Sequence, residues 1–169
     1  IVITAKSLDQ RVFERRAASG VKVISTPEIR WGRCDIKSVN LLANVLARQA
    51  AKEAGAFEAW FVDAEGFVTE GTSSNAFIVD AKGVLRTAPL SNRILHGVTR
   101  ATLLRLARER QLTVDERPFT LEEAKASREA FMSSATHPAV AVVSIDGAAV
   151  GDGRPGPIAL ALRAAYLGA

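Results

Sequence analysis

Two four-residue turns of the same form, Asp63-Ala64-Glu65-Gly66 and Asp80-Ala81-Lys82-Gly83, constrain this chain more than any other feature. Each lies between runs of extended character. Glu58–Val62 (EAWFV) and Phe67–Glu70 (FVTE) flank the first, Asn75–Val79 (NAFIV) and Val84–Thr87 (VLRT) the second. A short Asp/Gly turn between such runs predicts an antiparallel hairpin, because glycine takes the positive φ that closes the turn. Two hairpins in thirty residues argue against a doubly wound parallel sheet.

The rest of the chain mixes both periods. Val21–Thr26 reads as a strand between Gly20 and Pro27. Val39, Leu42, Leu46 and Ala50 recur at helical steps up to Gly55, predicting a core-facing stripe with Ser38 as its cap. A second helix carries Val98, Ala101, Leu104 and Ala107 on one face, and residues 112–117 are short and extended. Thr120 with Glu123 spells a capping box opening a short helix over 121–126. Phe131–Met132 and Ala139–Ile145 predict strands, the latter buried on both faces. Asp146–Gly147 turns the chain, and Ile158–Tyr166 closes it as a helix. The expected fold class is α+β, a mixed or antiparallel sheet with packed helices.

Composition removes several functions. With 22 Lys and Arg against 18 Asp and Glu, scattered rather than blocked, nothing marks a nucleic-acid surface. No run is long enough to span a membrane, and no signal peptide is recognised. The single cysteine, Cys34, excludes an internal disulfide and cysteine-rich zinc motifs, so a cytoplasmic setting is expected. His96 and His137 cannot bind a metal by themselves. Gly151, Gly153 and Gly156 formally spell G-x-G-x-x-G. They lie among prolines with only 13 residues after them, too few for an acidic ribose ligand some 20 residues on. The only methionine is Met132 and the first residue is Ile1, so the parent protein is expected to carry sequence upstream.

Four places could carry chemistry. Lys37, in CDIKSVN, precedes the first apolar helix, and partly buried surroundings there would free its amine as a nucleophile. Glu70 ends a strand inside TEGTSSN, where Thr72, Ser73, Ser74 and Asn75 offer polar groups or a tight turn. A helix starting at Gly97, in HGVTR, offers unpaired N–H groups and the Thr99 hydroxyl to a phosphate. SSATHP at 133–138 is another hydroxyl-rich loop leaving a strand.

Taken together, RWGRCDIKSVNLLANVLARQ at 30–49, TEGTSSNAF at 69–77 and NRILHGVTR at 92–100 resemble the D-amino acid aminotransferases of the fold-type-IV pyridoxal-phosphate class. The likeness runs from the strand near residue 21 to the turn at 145–147. It implies that Lys37 forms a Schiff base with pyridoxal 5'-phosphate and that Glu70 faces the pyridine nitrogen. It implies that Leu95 packs on the ring, and that Val98 (through its N–H), Thr99 and Thr136 hold the phosphate. Ser73 and Ser74 match the serines near the cofactor, and Arg30 is expected close by.

The resemblance further implies amino acid and 2-oxo acid substrates and a homodimer, while composition leads to the expectation of no nucleic-acid or membrane partner. Residues 1–20 are then a strand or linker remnant between domains, and 21–169 the cofactor-binding large domain. An N-terminal substrate domain of roughly a hundred residues belongs to the parent. Two positions depart from the family pattern: Ala135 in a loop that is hydroxyl-rich in relatives, and His96 beside the ring-packing leucine. Within the same fold, branched-chain L-aminotransferase and aminodeoxychorismate lyase are the alternatives. A non-catalytic structural or interaction domain is a reading of another class, and RNA binding, which rests only on the positive balance, is a third.

Overall fold

The computed structural model describes residues 2–5, 7 and 9–168. It contains α1 (Gln10–Ser19), β1 (Val21–Pro27), α2 (Leu42–Glu53), β2 (Glu58–Val62), β3 (Val68–Gly71), β4 (Asn75–Val79) and β5 (Leu85–Thr87). There follow α3 (Val98–Glu109), β6 (Val114–Asp115), α4 (Leu121–Lys125), β7 (Glu129–Ser134), β8 (His137–Ile145), β9 (Ala148–Ala149) and α5 (Pro157–Leu167). The class is the expected α+β with a mixed sheet. Both predicted hairpins form: β2 with β3 and β4 with β5 are antiparallel.

The strand order is β3-β2-β1-β8-β7-β4-β5-β6, with β9 added to β8; β1 is parallel to both neighbours, and β6 is parallel to β5. That order carries a geometric consequence. β3 and β4 stand five places apart in the sheet, roughly 24 Å if it were flat. Only residues 72–74 join them, a link that reaches at most about 14 Å. The sheet therefore curls, bringing the ends of β3 and β4 together.

Alternation along the strands splits the core in two. Ala76 and Ile78 of β4, Met132 of β7 and Val140 and Val142 of β8 face inward with Trp60 and Phe119. Phe77, Val79, Phe131, Ala139 and Ala141 face outward and meet Leu103, Leu104 and Ala107 of α3 and Leu162 of α5. β8 is thus apolar on both faces, as its composition required. α4 opens on the capping box, with Thr120 accepting from the Glu123 N–H and Glu123 from that of Thr120.

Four expectations are corrected. The opening strand is absent over Val2–Ala5, while Ile1, Lys6 and Leu8 lie outside the described residues; Gln10–Ser19 is helical, capped by Asp9. In α2 the stripe faces the other way. Val39, Leu42, Leu46 and Ala50 are exposed, and the face against the sheet is Ala47 and Ala51, packed on Ala59 and Phe61. Small side chains let the helix approach the sheet closely. The helix starts at Leu42 without a side-chain cap, and Ser38 instead accepts from the Asn40 N–H. In α3, Leu104 and Ala107 are buried, but Val98 and Ala101 are exposed; Leu103 and Leu106 complete the buried face. No helix among the described residues is long and apolar enough to cross a membrane.

Candidate active site

The loop after β1 carries two of the predicted residues. Arg30 is almost wholly buried, stacked over Phe61, and shared between two carboxylates: Nη2 lies 2.6 Å from Glu28 and Nη1 2.5 Å from Glu70. A guanidinium fork suits such a double acceptor. Lys37 lies farther along the same loop, before α2. It is exposed, not partly buried as the sequence suggested, and it lines the large cavity described below.

Glu70 comes from the end of β3 and is 5 % exposed. Arg30 binds one oxygen; the other accepts from Asn75 Nδ2 at 3.1 Å and from the Leu95 N–H at 2.9 Å. Burial pushes its carboxyl up from the ordinary value, and the Arg30 charge opposes that rise. Asn75 also donates to the Leu95 carbonyl. Its Oδ1 lies so close to Gly97 that a Cβ there would collide with it. One amide side chain thus ties the acid on β3 to the loop before α3.

The curl of the sheet places the 72–74 turn beside the same cavity. Its hydroxyls face Glu58, a fully buried carboxylate at the start of β2. Thr72, Ser73 and Ser74 donate to it at 2.7, 3.0 and 2.5 Å, and the Ser73 N–H at 2.7 Å. Arg48 of α2 stands 3.6 Å away. The hydroxyl protons of Ser73 and Ser74 are thereby committed within the chain. Toward the cavity these oxygens only accept.

The opposite wall has the reverse character. α3 opens at Gly97 with no capping side chain, leaving its first amides to the cavity side. Thr99 Oγ1 and Ser133 Oγ are buried and have no hydrogen-bond partner among the described residues, although buried hydroxyls are ordinarily satisfied. Both residues line the cavity, as does Thr136, whose hydroxyl meets His137. Unpaired donors beside a helix N-terminus form a cradle for an anion such as phosphate.

All nine predicted residues line this one cavity of about 1070 Å³: Arg30, Lys37, Glu70, Ser73, Ser74, Leu95, Val98, Thr99 and Thr136. Val98, an exposed residue, lies at its edge. The sequence reading missed Glu58, the bridging role of Asn75, and the orphaned Ser133. Asn75 and Ser133 stood inside motifs already singled out; Glu58 gave no local signal. The glycine triplet at 151–156 is structural. Gly156 packs against the Glu129 carboxylate, which caps α5 by accepting from Ile158 and Ala159, leaving no space for a phosphate.

Comparison with known proteins gives the family and the fold. The model of the family described as amino-transferase class IV matches residues 1–145. A D-alanine aminotransferase from Bacillus licheniformis is 42 % identical over 156 residues, 92 % of this chain and 54 % of that protein. One from Staphylococcus aureus (strain COL) is 39 % identical over 98 % of the chain and 57 % of its own length. The chain therefore spans little more than half of the curated relatives it matches. Among solved structures, a branched-chain amino acid aminotransferase from Thermobaculum terrenum in its PLP form superposes with a TM-score of 0.83 at 32 % identity, covering 92 % of this chain and 52 % of that one. Another, from Thermoproteus uzoniensis with norvaline, gives 0.80 at 31 %, covering 89 % and 51 %.

Proposed function

This chain belongs to the class IV aminotransferases, and from that premise we propose that the parent protein moves an amino group between a D-amino acid and a 2-oxo acid, with pyridoxal 5'-phosphate held at Lys37. One observation carries the reading. A single cavity gathers an amine, a buried carboxylate and two buried hydroxyls without partners among the described residues. The D-specific form of the reaction is supported by relatives named D-alanine aminotransferase at about 40 % identity.

When bound, the cofactor supplies an electron sink that acidifies the Cα–H bond of an amino acid. The remaining work falls to this chain. Lys37 Nζ would hold the cofactor and, as a free amine, could take the proton from the substrate Cα and return one to the carbon that receives the amino group. Glu70, braced by Arg30 and Asn75, would face the pyridine nitrogen and favour its protonated form. Leu95 would cover the ring, while Thr99, Ser133, Thr136 and the first amides of α3, that of Val98 among them, would hold the phosphate. The Ser73 and Ser74 hydroxyl oxygens, their protons committed to Glu58, can only accept and would suit an incoming ammonium group. Recognition of the substrate carboxylate is assigned to the parent's upstream domain, and the parent to a cytoplasmic homodimer.

Titrating this chain with pyridoxal phosphate should yield visible absorbance, and borohydride should fix the cofactor to Lys37; Lys37→Ala should do neither. The full-length parent, given D-alanine and 2-oxoglutarate, should produce pyruvate and D-glutamate. No turnover with any D-amino acid removes the D-specific reading. Turnover of L-leucine alone favours a branched-chain enzyme, as the solved neighbours are named. A colourless chain that takes up no cofactor favours a structural domain.

A further inference from the structure

We infer that Arg16 and His137 form a relay that turns the Thr136 hydroxyl proton toward the cavity, making Thr136 a donor to the cofactor phosphate. The phosphate as destination rests on the function proposed above; the relay itself is a property of this chain.

The argument is one of donor and acceptor capacity. Arg16 Nη1 of α1 lies 3.3 Å from His137 Nε2, and His137 Nδ1 lies 3.0 Å from Thr136 Oγ1. A guanidinium has only donors, so Nε2 must offer its lone pair. A neutral imidazole whose Nε2 accepts carries its proton on Nδ1. That N–H then points at the Thr136 oxygen, which receives it. The threonine's own proton must be directed elsewhere, and its residue borders the cavity.

The surroundings hold the ring in this neutral form. It lies between Phe13 of α1 and Phe57, with centroids 5.0 and 5.3 Å away. The charged groups that act on it most are Arg16 of α1, Arg48 of α2, Arg163 of α5 and the acid Glu58 of β2. Burial and then the Arg16 charge depress its basicity, with Arg48 and Arg163 adding to them and Glu58 opposing. Arg16 and Arg48 each stack on the Phe57 ring, which fixes the guanidinium that begins the relay.

The relay complements the opposite wall. Glu58 draws the protons of residues 72–74 away from the cavity, while His137 pushes that of Thr136 into it. Thr136 thereby joins Thr99 and Ser133 as donors, and the cavity is polarised, accepting on one side and donating on the other. His137 is a positioning residue: it acts on the anion only through Thr136.

The decisive comparison is between pyridoxal phosphate and pyridoxal, which lacks the phosphate. His137→Phe keeps the aromatic packing and removes the Nδ1 proton. It should weaken pyridoxal phosphate binding to this chain severalfold, less than the loss of a whole hydrogen bond because the hydroxyl is freed to rotate and not removed, and leave pyridoxal binding unchanged. Thr136→Val should lose about tenfold, the worth of one hydrogen bond to a charged group, and the double variant no more than Thr136→Val alone. Equal weakening toward both ligands, or full additivity, overturns the relay. ¹⁵N chemical shifts of His137 in the cofactor-free chain give a readout independent of binding. Protonation at Nδ1 is expected near neutral pH; protonation at Nε2, or at both nitrogens, overturns the relay even if the cofactor binds normally. Failure of the unaltered chain to bind either ligand instead removes the cofactor reading, and with it the phosphate as the relay's destination.

Discussion

At the scale of single residues, Glu58 carries the clearest consequence. It is wholly buried and accepts from three hydroxyls and one amide of a single turn. In Glu58→Gln one acceptor oxygen becomes an amide donor of the same shape, facing hydroxyls that must then turn round. One or more of their protons loses its partner in a dry site, a cost of about 1–3 kcal/mol. Urea unfolding of the cofactor-free chain should show that loss, and an unchanged midpoint would mean that the turn is held by its backbone alone. The sequence concealed this residue for a physical reason. Glu58 opens EAWFV and reads as the polar end of a strand, while its partners lie 14 to 16 positions away across the curl of the sheet. Arg16 and His137, 121 positions apart, were hidden in the same way. Lys37, Glu70 and Thr99, which line the cavity, were singled out because three short motifs together resemble one family; none of the motifs carried that reading alone.

Elements were legible where their signals are local. Both hairpins follow from turn chemistry within four residues, and the α4 cap from Thr120 and Glu123 alone. Strand order was not legible, because β1 between β2 and β8 is a choice made by distant parts of the chain. α2 shows the limit most directly. Its period correctly announced an amphipathic helix, but period cannot say which apolar face meets the sheet. Leu42 and Leu46 are 69 % and 55 % exposed, whereas Ala51 has no exposure at all. Replacing both leucines by serine should therefore shift the unfolding free energy of this chain by no more than about 0.5 kcal/mol each. Ala51→Leu, a far milder change by composition, should cost about 1–3 kcal/mol through overpacking against Phe61. Denaturant titration of the two variants separates the faces: a large loss from the leucine pair would restore the stripe to the core.

Across the whole molecule, buried and paired carboxyls respond to acid in opposite directions. At the β5–β6 end, Arg100 of α3 and Arg108 bind Glu116, and Arg86 of β5 binds Glu123 of α4. Hydrogen bonds from Arg100 and from Arg86 hold these two carboxyls below their ordinary value of 4.5. A carboxyl lowered by folding binds fewer protons in the native state than in the unfolded one. Its stabilisation is therefore complete above pH 4.5 and is lost as pH falls through the lowered value. Glu70, on the cavity side, behaves oppositely: burial raises it, so protonation there relieves the native state. General charge repulsion also grows in acid, because the chain already carries a net charge of +4. Comparison with Glu116→Gln, which removes one titrating group and alters the background little, isolates the pair from that repulsion. The variant should be less stable than the parent chain near pH 7, and the gap between their urea midpoints should close below about pH 4. A gap of constant size from neutral to acid pH would show that Glu116 contributes through packing and not through charge. The β5–β6 end would then have no special sensitivity to acid.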